Sequence, residues 1–98
     1  MTIQKTQNGK TLEIALEGRL DTMTAPELEA ELKQSMPDAD SLIFDFSKLD
    51  YISSAGLRVL LSAHKTMSPK GGMKIVHVNE VVQEVLDVTG FSDILTVE

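Results

Sequence analysis

Three stretches with the apolar spacing of amphipathic helices alternate with short apolar runs after an opening hairpin signal. That alternation confines the chain to a sheet whose neighbouring strands are joined by helical crossovers, because a parallel neighbour needs a connection of a dozen residues or more. Residues 11–17, Thr-Leu-Glu-Ile-Ala-Leu-Glu, place Leu12, Ile14 and Leu16 on one side at period two, the pattern of a half-buried strand. A weaker strand over residues 2–7 precedes it across Asn8-Gly9, a pair expected to form the turn because both residues tolerate positive φ.

The first helix is expected to begin at Thr24-Ala25-Pro26-Glu27, where Thr24 and Glu27 have capping-box spacing and Pro26 suits a first turn. Ala25, Leu28, Leu32 and Met36 mark its inner face, and Pro37 stops it. Residues 41–46, Ser-Leu-Ile-Phe-Asp-Phe, read as a central strand covered on both faces. A second helix from Ser53/Ser54 carries Leu57, Leu60, Leu61, His64 and Met67 inward, with Arg58, Ser62 and Lys65 pointing away. After a strand at residues 73–78, Asn79 caps a third helix with Val81, Val82, Val85 and Leu86 inward. Gly90 stands where a left-handed terminator belongs, and residues 94–97 close the chain as a strand. The expected order is ββαβαβαβ in an α/β domain with a mixed, mostly parallel sheet, an N-terminal hairpin and covering helices.

Ninety-eight residues fit one domain over residues 1–98, with one core and no room for a separate catalytic half. The net charge of −6 comes with nine scattered Lys and Arg residues, so no basic stripe exists to neutralise phosphates, and nucleic acid is not an expected partner. No apolar stretch approaches the length of a membrane span, and residues 1–5 lack the apolar core of a secretion signal, so direct membrane insertion is not expected and the cytosol is the expected compartment. With no cysteine, disulfide, thiol and zinc-thiolate chemistry are excluded.

Asp50-Tyr51-Ile52-Ser53-Ser54-Ala55-Gly56-Leu57 presents hydroxyls at a helix start beside small residues. Four N–H groups there lack intrahelical partners; a Ser oxygen satisfies one of them, and the same end favours an added anion. Two readings stay open on these residues alone: a plain cap, or an exposed, modifiable Ser with room for another molecule over Ala55 and Gly56. Catalysis is disfavoured. Ser-Ser-Ala-Gly lacks the first glycine of a nucleophile elbow, and His64 lies almost three turns down the same helix. His64 and His77 sit in different elements without a ligand pattern, and both are expected to be partly buried structural residues, so no metal is expected. Asp21, Asp45 and Asp50 are candidates to converge at one end of the sheet, or else to be solvated loop acids.

The segment 49–57, together with Glu17-Gly18-Arg19-Leu20-Asp21, Thr24, and the later Val88-Thr89-Gly90-Phe91-Ser92-Asp93-Ile94, resembles the bacterial anti-sigma factor antagonists built on a STAS domain. These pieces occur in the family's order and span nearly the whole chain. The resemblance implies a non-enzymatic, partner-switching module with no cofactor of its own. It would bind an anti-sigma factor that is also a serine kinase, freeing a sigma factor; the kinase would phosphorylate the antagonist with its own bound ATP, and a PP2C-type phosphatase would restore it. Aligning on Gly56-Leu57 places Ser54 at the phosphorylated position, with Ser53 as the fallback acceptor. Asp21 aligns with an acidic residue bearing on partner recognition. The expected partner-binding set is Asp21, Ser53, Ser54, Ala55, Gly56, Arg58 and Ser62. Family members often carry Asp before the modified Ser and Ser or Thr after it, where this chain has Ser53 and Ala55. Two other classes compete: a STAS subunit attached to a membrane transport complex, and a small serine hydrolase.

Overall fold

The computed structural model describes all 98 residues. Strand β1 (Thr2–Asn8) turns into β2 (Thr11–Leu20), then helix α1 (Ala25–Ser35) leads to β3 (Ser41–Ile52). Helix α2 (Ser54–Met67), β4 (Met73–Val76), α3 (Glu80–Val88) and β5 (Thr96–Val97) complete the expected order. The five strands lie side by side in chain order, with β1 antiparallel to β2 and all later pairs parallel.

Strand order explains where the helices sit. Each crossover from β2 onward steps to the next position in the same direction, and right-handed connections that never reverse direction all return over one face. β3 is therefore covered on one face rather than both. Leu42, Phe44 and Phe46 are buried beneath the helices, while Ser41, Ile43 and Asp45 lie half-buried on the open side. The run that reads as uniformly apolar carries only Ile43 as an aliphatic residue on that open face. β2 repeats the arrangement, with Leu12, Ile14 and Leu16 inward and Thr11, Glu13 and Ala15 outward. Phe44 and Phe46 pack with ring centroids 5.6 Å apart, within a single core cluster that also takes Leu28, Leu32, Leu57, Leu60, Val82 and Leu86 from the helices.

The hairpin forms one residue later than expected. Asn8 pairs with Thr11, so Gly9 and Lys10 are the central turn residues; only Gly9 has positive φ, at 61°, which matches the type II′ preference for glycine first. β2 and β3 each run past their expected ends. Two register shifts in their pairing leave one extra β3 residue between Asp45 and Lys48 and another, Asp50, between Leu49 and Tyr51. Such bulges bend a strand and change which residues face inward, and here the burial period goes from two to three, burying Phe46, Leu49 and Ile52 together.

Helix faces follow the expected stripes with three exceptions. On α2, Val59 is buried and Leu61 only half-buried, because α2 packs against α1 as well as against the sheet. On α3, Val81 is 55% exposed while Val82 and Leu86 are buried. At the carboxyl end, residues 91–93 form a 3-10 turn, which shortens β5 to Thr96–Val97. Asn79 caps α3 as expected: its Oδ1 accepts from Val82 N at 2.9 Å, and its Nδ2 donates to the Leu49 carbonyl at 2.6 Å, tying the helix to β3. Gly90 adopts the left-handed conformation, and Phe91 packs back on the core.

Candidate functional site

The bulged ends of β2 and β3 deliver two turns to the same place. Leu20 ends β2, Ile52 ends β3, and the backbone N–H of Ser53 donates to the Leu20 carbonyl at 2.9 Å, so the Asp21 loop and the start of α2 are directly joined. Ser53 is the N-cap of α2: its backbone is extended, with φ −100° and ψ 175°, and its Oγ accepts from Gly56 N at 3.5 Å. Ser54 is the first helical residue. It is exposed, and its hydroxyl makes no hydrogen bond within the chain. The two serines thus divide the roles that sequence left shared, one capping and the other free.

Gly56 does something different from what was expected of it. It is buried, and a Cβ there would lie 2.7 Å from Leu20 Cγ and 3.0 Å from Ile52 Cγ1. Its lack of a side chain admits those two core residues, so Gly56 offers no open approach to α2, and the exposed residue of this turn is Ser54, beside half-buried Ala55.

Asp21 organises the neighbouring loop. Its Oδ1 accepts from Met23 N at 3.0 Å and Thr24 N at 3.2 Å, while Thr24 Oγ1 accepts from Asp21 N at 2.9 Å and donates to the Arg19 carbonyl at 2.8 Å. The capping box with Glu27 does not form, because Thr24 spends its hydroxyl on this upstream turn. Arg19 closes the loop from the side, 3.6 Å from Asp21 Oδ2 with its guanidinium carbon 4.3 Å from the centroid of the Tyr51 ring. Partial burial pushes the Asp21 carboxyl upward, but the Thr24 and Met23 N–H bonds, the Thr24 hydroxyl and the Arg19 charge outweigh it and hold the group below its ordinary value of 3.8. A carboxylate with a lowered folded-state pKa contributes stability that is present above the unfolded value and lost as pH falls through the folded one. Asp21→Asn is therefore expected to be less stable than the native protein at pH 7, with the gap narrowing in acid below pH 3.8. Urea unfolding at a series of pH values measures it, and a gap that stays constant into acid contradicts the assignment.

From this corner an open groove of about 340 Å³ runs between the first two helices. Thr22, Pro26 and Glu29 form one wall, and Ala55, Arg58 and Ser62 the other. Arg58 and Ser62 are exposed, as expected, and Met23 stands at the loop tip 86% exposed. Sequence reasoning missed Thr22, Pro26 and Glu29, which gain meaning only from helix packing; an exposed Met between two polar turn residues was the one available hint. A larger depression of about 540 Å³ lies near Ser41, Gly72 and Lys74, at the opposite end of the parallel strands, away from these residues.

The three acids do not converge. Asp45 lies on the open sheet face, accepting from Ser47 N at 2.9 Å and pairing with His77 Nδ1 at 3.2 Å; the Ser47 N–H is the chief cause of its lowered pKa. Asp50 is the exposed extra residue of the second bulge. His77 is exposed rather than partly buried, because positive φ at 60° turns it out toward Asp45. His64 is half-buried on α2. Neither histidine bonds to Ser54, so no base is in place to activate it.

A family model for the STAS domain matches residues 2–98. The protein BtrV of Bordetella bronchiseptica, named as an anti-sigma factor antagonist, is 37% identical over 84 residues, covering 84% of this chain and 72% of that one. The chain belongs to the STAS-domain family of anti-sigma factor antagonists. Its fold matches a crystal structure of an anti-sigma factor antagonist from Mycobacterium paratuberculosis with a TM-score of 0.89 at 21% identity, over 98% of this chain and 83% of that one. The Bacillus cell fate determinant SpoIIAA in its phosphorylated form matches with a TM-score of 0.76 at 17% identity, over 99% and 91%. STAS antagonists are regulatory binding proteins rather than enzymes, which agrees with a site that offers an unassisted hydroxyl beside a groove. No helix is long and apolar enough to cross a membrane.

Proposed function

We propose that this chain is an anti-sigma factor antagonist that binds an anti-sigma factor serine kinase and thereby releases a sigma factor. Phosphorylation of Ser54 switches it off, and a PP2C-type phosphatase restores it. The observation carrying this reading is the division of labour at the start of α2. Ser53 is half-buried with its oxygen turned to Gly56 N, whereas Ser54 is exposed with an uncommitted hydroxyl, next to Ala55, which lines the groove between α1 and α2. An acceptor must enter another protein's active site, and of the two serines Ser54 fits that need. Asp21, Ser53, Ala55, Arg58 and Ser62 would lie under the partner around it, with Gly56 acting from beneath. The match to SpoIIAA, whose fold is known in a phosphorylated form, supports a phosphate being accepted without refolding. A phosphate at a first helical turn is also tolerated locally, because the helix end carries partial positive charge.

The test is intact mass after incubation with the partner kinase and ATP, followed by mapping of the modified residue. The expected result is one phosphoryl group, located on Ser54, absent from Ser54→Ala and removed by the phosphatase. Modification of Ser53 alone, or none at all, overturns the assignment. The relatives named above are antagonists rather than transporter subunits, and a hydrolase would need a base that the site lacks.

A further inference from the structure

Of the nine Lys and Arg residues, most are already engaged. Lys5, Arg19, Lys33, Lys48 and Lys74 each pair with a carboxylate, and Lys70 donates to the carbonyls of Met36 and Ala39. Arg58, Lys10 and Lys65 have no such partner. Lys10 sits in the hairpin turn beside the start of β3, at the other end of that strand from Ser54. Lys65 lies eleven residues beyond Ser54, about 16 Å further along the helix. Arg58 is four residues after Ser54, on the next turn of α2 and exposed. Glu29 faces Arg58 across the groove, but its carboxylate is held by Lys33 at 3.2 Å.

Residues four apart on a helix are neighbours, and an anion placed N-terminal to a cation at that spacing is the favourable orientation. Glu29 and Lys33 make that pair in α1 of this same chain, with acid first and base second. We infer that Arg58 is the internal counter-ion of a phosphate on Ser54, drawing it along α2 over the groove between α1 and α2. This rests on the reading of Ser54 as the phosphorylated residue. The guanidinium suits the role because its planar fork binds two phosphate oxygens at once. The switch then does two things together: it adds charge one residue from the groove lining, and it removes from the surface the free cation nearest Ser54. A partner carboxylate that met Arg58 in the unmodified protein would meet a phosphate instead.

The experiment uses full-length protein with phosphoserine placed at position 54 during translation, so that no kinase is needed. The second ionisation of the phosphate is followed by ³¹P NMR as pH is raised. In the native sequence the midpoint is expected to lie roughly 0.15–0.4 of a pH unit below that of Arg58→Gln. Arg58→Lys is expected to recover part of the shift, Lys65→Gln to leave it unchanged, and added salt to shrink it. The Arg58 Nε–Hε resonance of the native chain, which needs no variant, is expected to move on phosphorylation while that of Arg19 stays in place. Coincident midpoints for native and Arg58→Gln protein, or an unmoved Arg58 resonance, overturn the inference. Failure of the kinase to modify Ser54 overturns the parent reading instead, and the two outcomes are read in separate experiments.

Discussion

Protein carrying phosphoserine at position 54 is expected to bind its anti-sigma factor a few hundredfold more weakly than the unmodified chain. A phosphate adds roughly −1.5 to −2 charges to a protein already at −6. It does so where Ser54 is exposed and Ala55 half-buried at the start of α2 and where Asp21 stands on the adjoining loop. A partner seated there is pushed off by the bulk of the added group and meets the negative charge that a single Arg58 does not fully offset. Losing about 3–4 kcal/mol suffices for that change in affinity, and a charged group desolvated in a contact costs at least as much. Calorimetric titration of the anti-sigma factor with unmodified, phosphorylated and Ser54→Ala protein measures it. Ser54→Ala is expected to bind within a few-fold of the native chain, since the hydroxyl has no internal partner to lose. Equal affinities for the modified and unmodified forms would reject the switch.

Gly56→Val is expected to destabilise the domain by about 3 kcal/mol, at the upper end of what overpacking a core costs. Helix propensity argues the opposite sign, because glycine inside a helix is worse than most replacements by up to about 1 kcal/mol. Geometry decides. Even a methyl at this position meets Leu20 Cγ at 2.7 Å and Ile52 Cγ1 at 3.0 Å, and both residues are buried with no room to retreat. Valine adds two more carbons and a stiff χ1 to the same gap. Urea unfolding is expected to show a lower midpoint at an unchanged slope. The damage also reaches the site, since the N–H of Ser53 bonds the carbonyl of that same Leu20. Gly56→Val with native stability would mean that α2 rides higher on the sheet than described.

Local chemistry made much of this molecule legible in its sequence. Asn79 and Gly90 act as a cap and a terminator because each depends on a few adjacent backbone groups. The helical stripes hold, apart from Val59, Leu61 and Val81, for the same reason, since periodicity is local. What stayed hidden was set by distant partners. The bulges that lengthen β3 exist only in its pairing with β2, and no pattern within residues 41–52 announces that Asp50 is an extra residue. Gly56 looked like an opening for another protein, whereas its true neighbours, Leu20 and Ile52, come from two different strands. Thr24 and Glu27 have the right spacing for a box, yet the Asp21 loop competes for the Thr24 hydroxyl and wins. Sequence chemistry alone did not say which of Ser53 and Ser54 caps α2, and only the resemblance preferred Ser54 as acceptor; where β3 ends makes Ser53 the cap and Ser54 the first helical residue.

Because strands β1 to β5 stand in the sheet as they come along the chain, every lateral pairing joins consecutive segments, and the longest loop to be closed is a single crossover. Each parallel pairing still spans a whole crossover helix, so closing it brings together segments well separated in the chain. The hydrogen bond from Ser53 to Leu20 lies within the second of those steps, before β4 and β5 are required. The joint between the Asp21 loop and the start of α2 is therefore made entirely within the β2–α1–β3–α2 portion of the chain, with no residue of β4, α3 or β5 taking part.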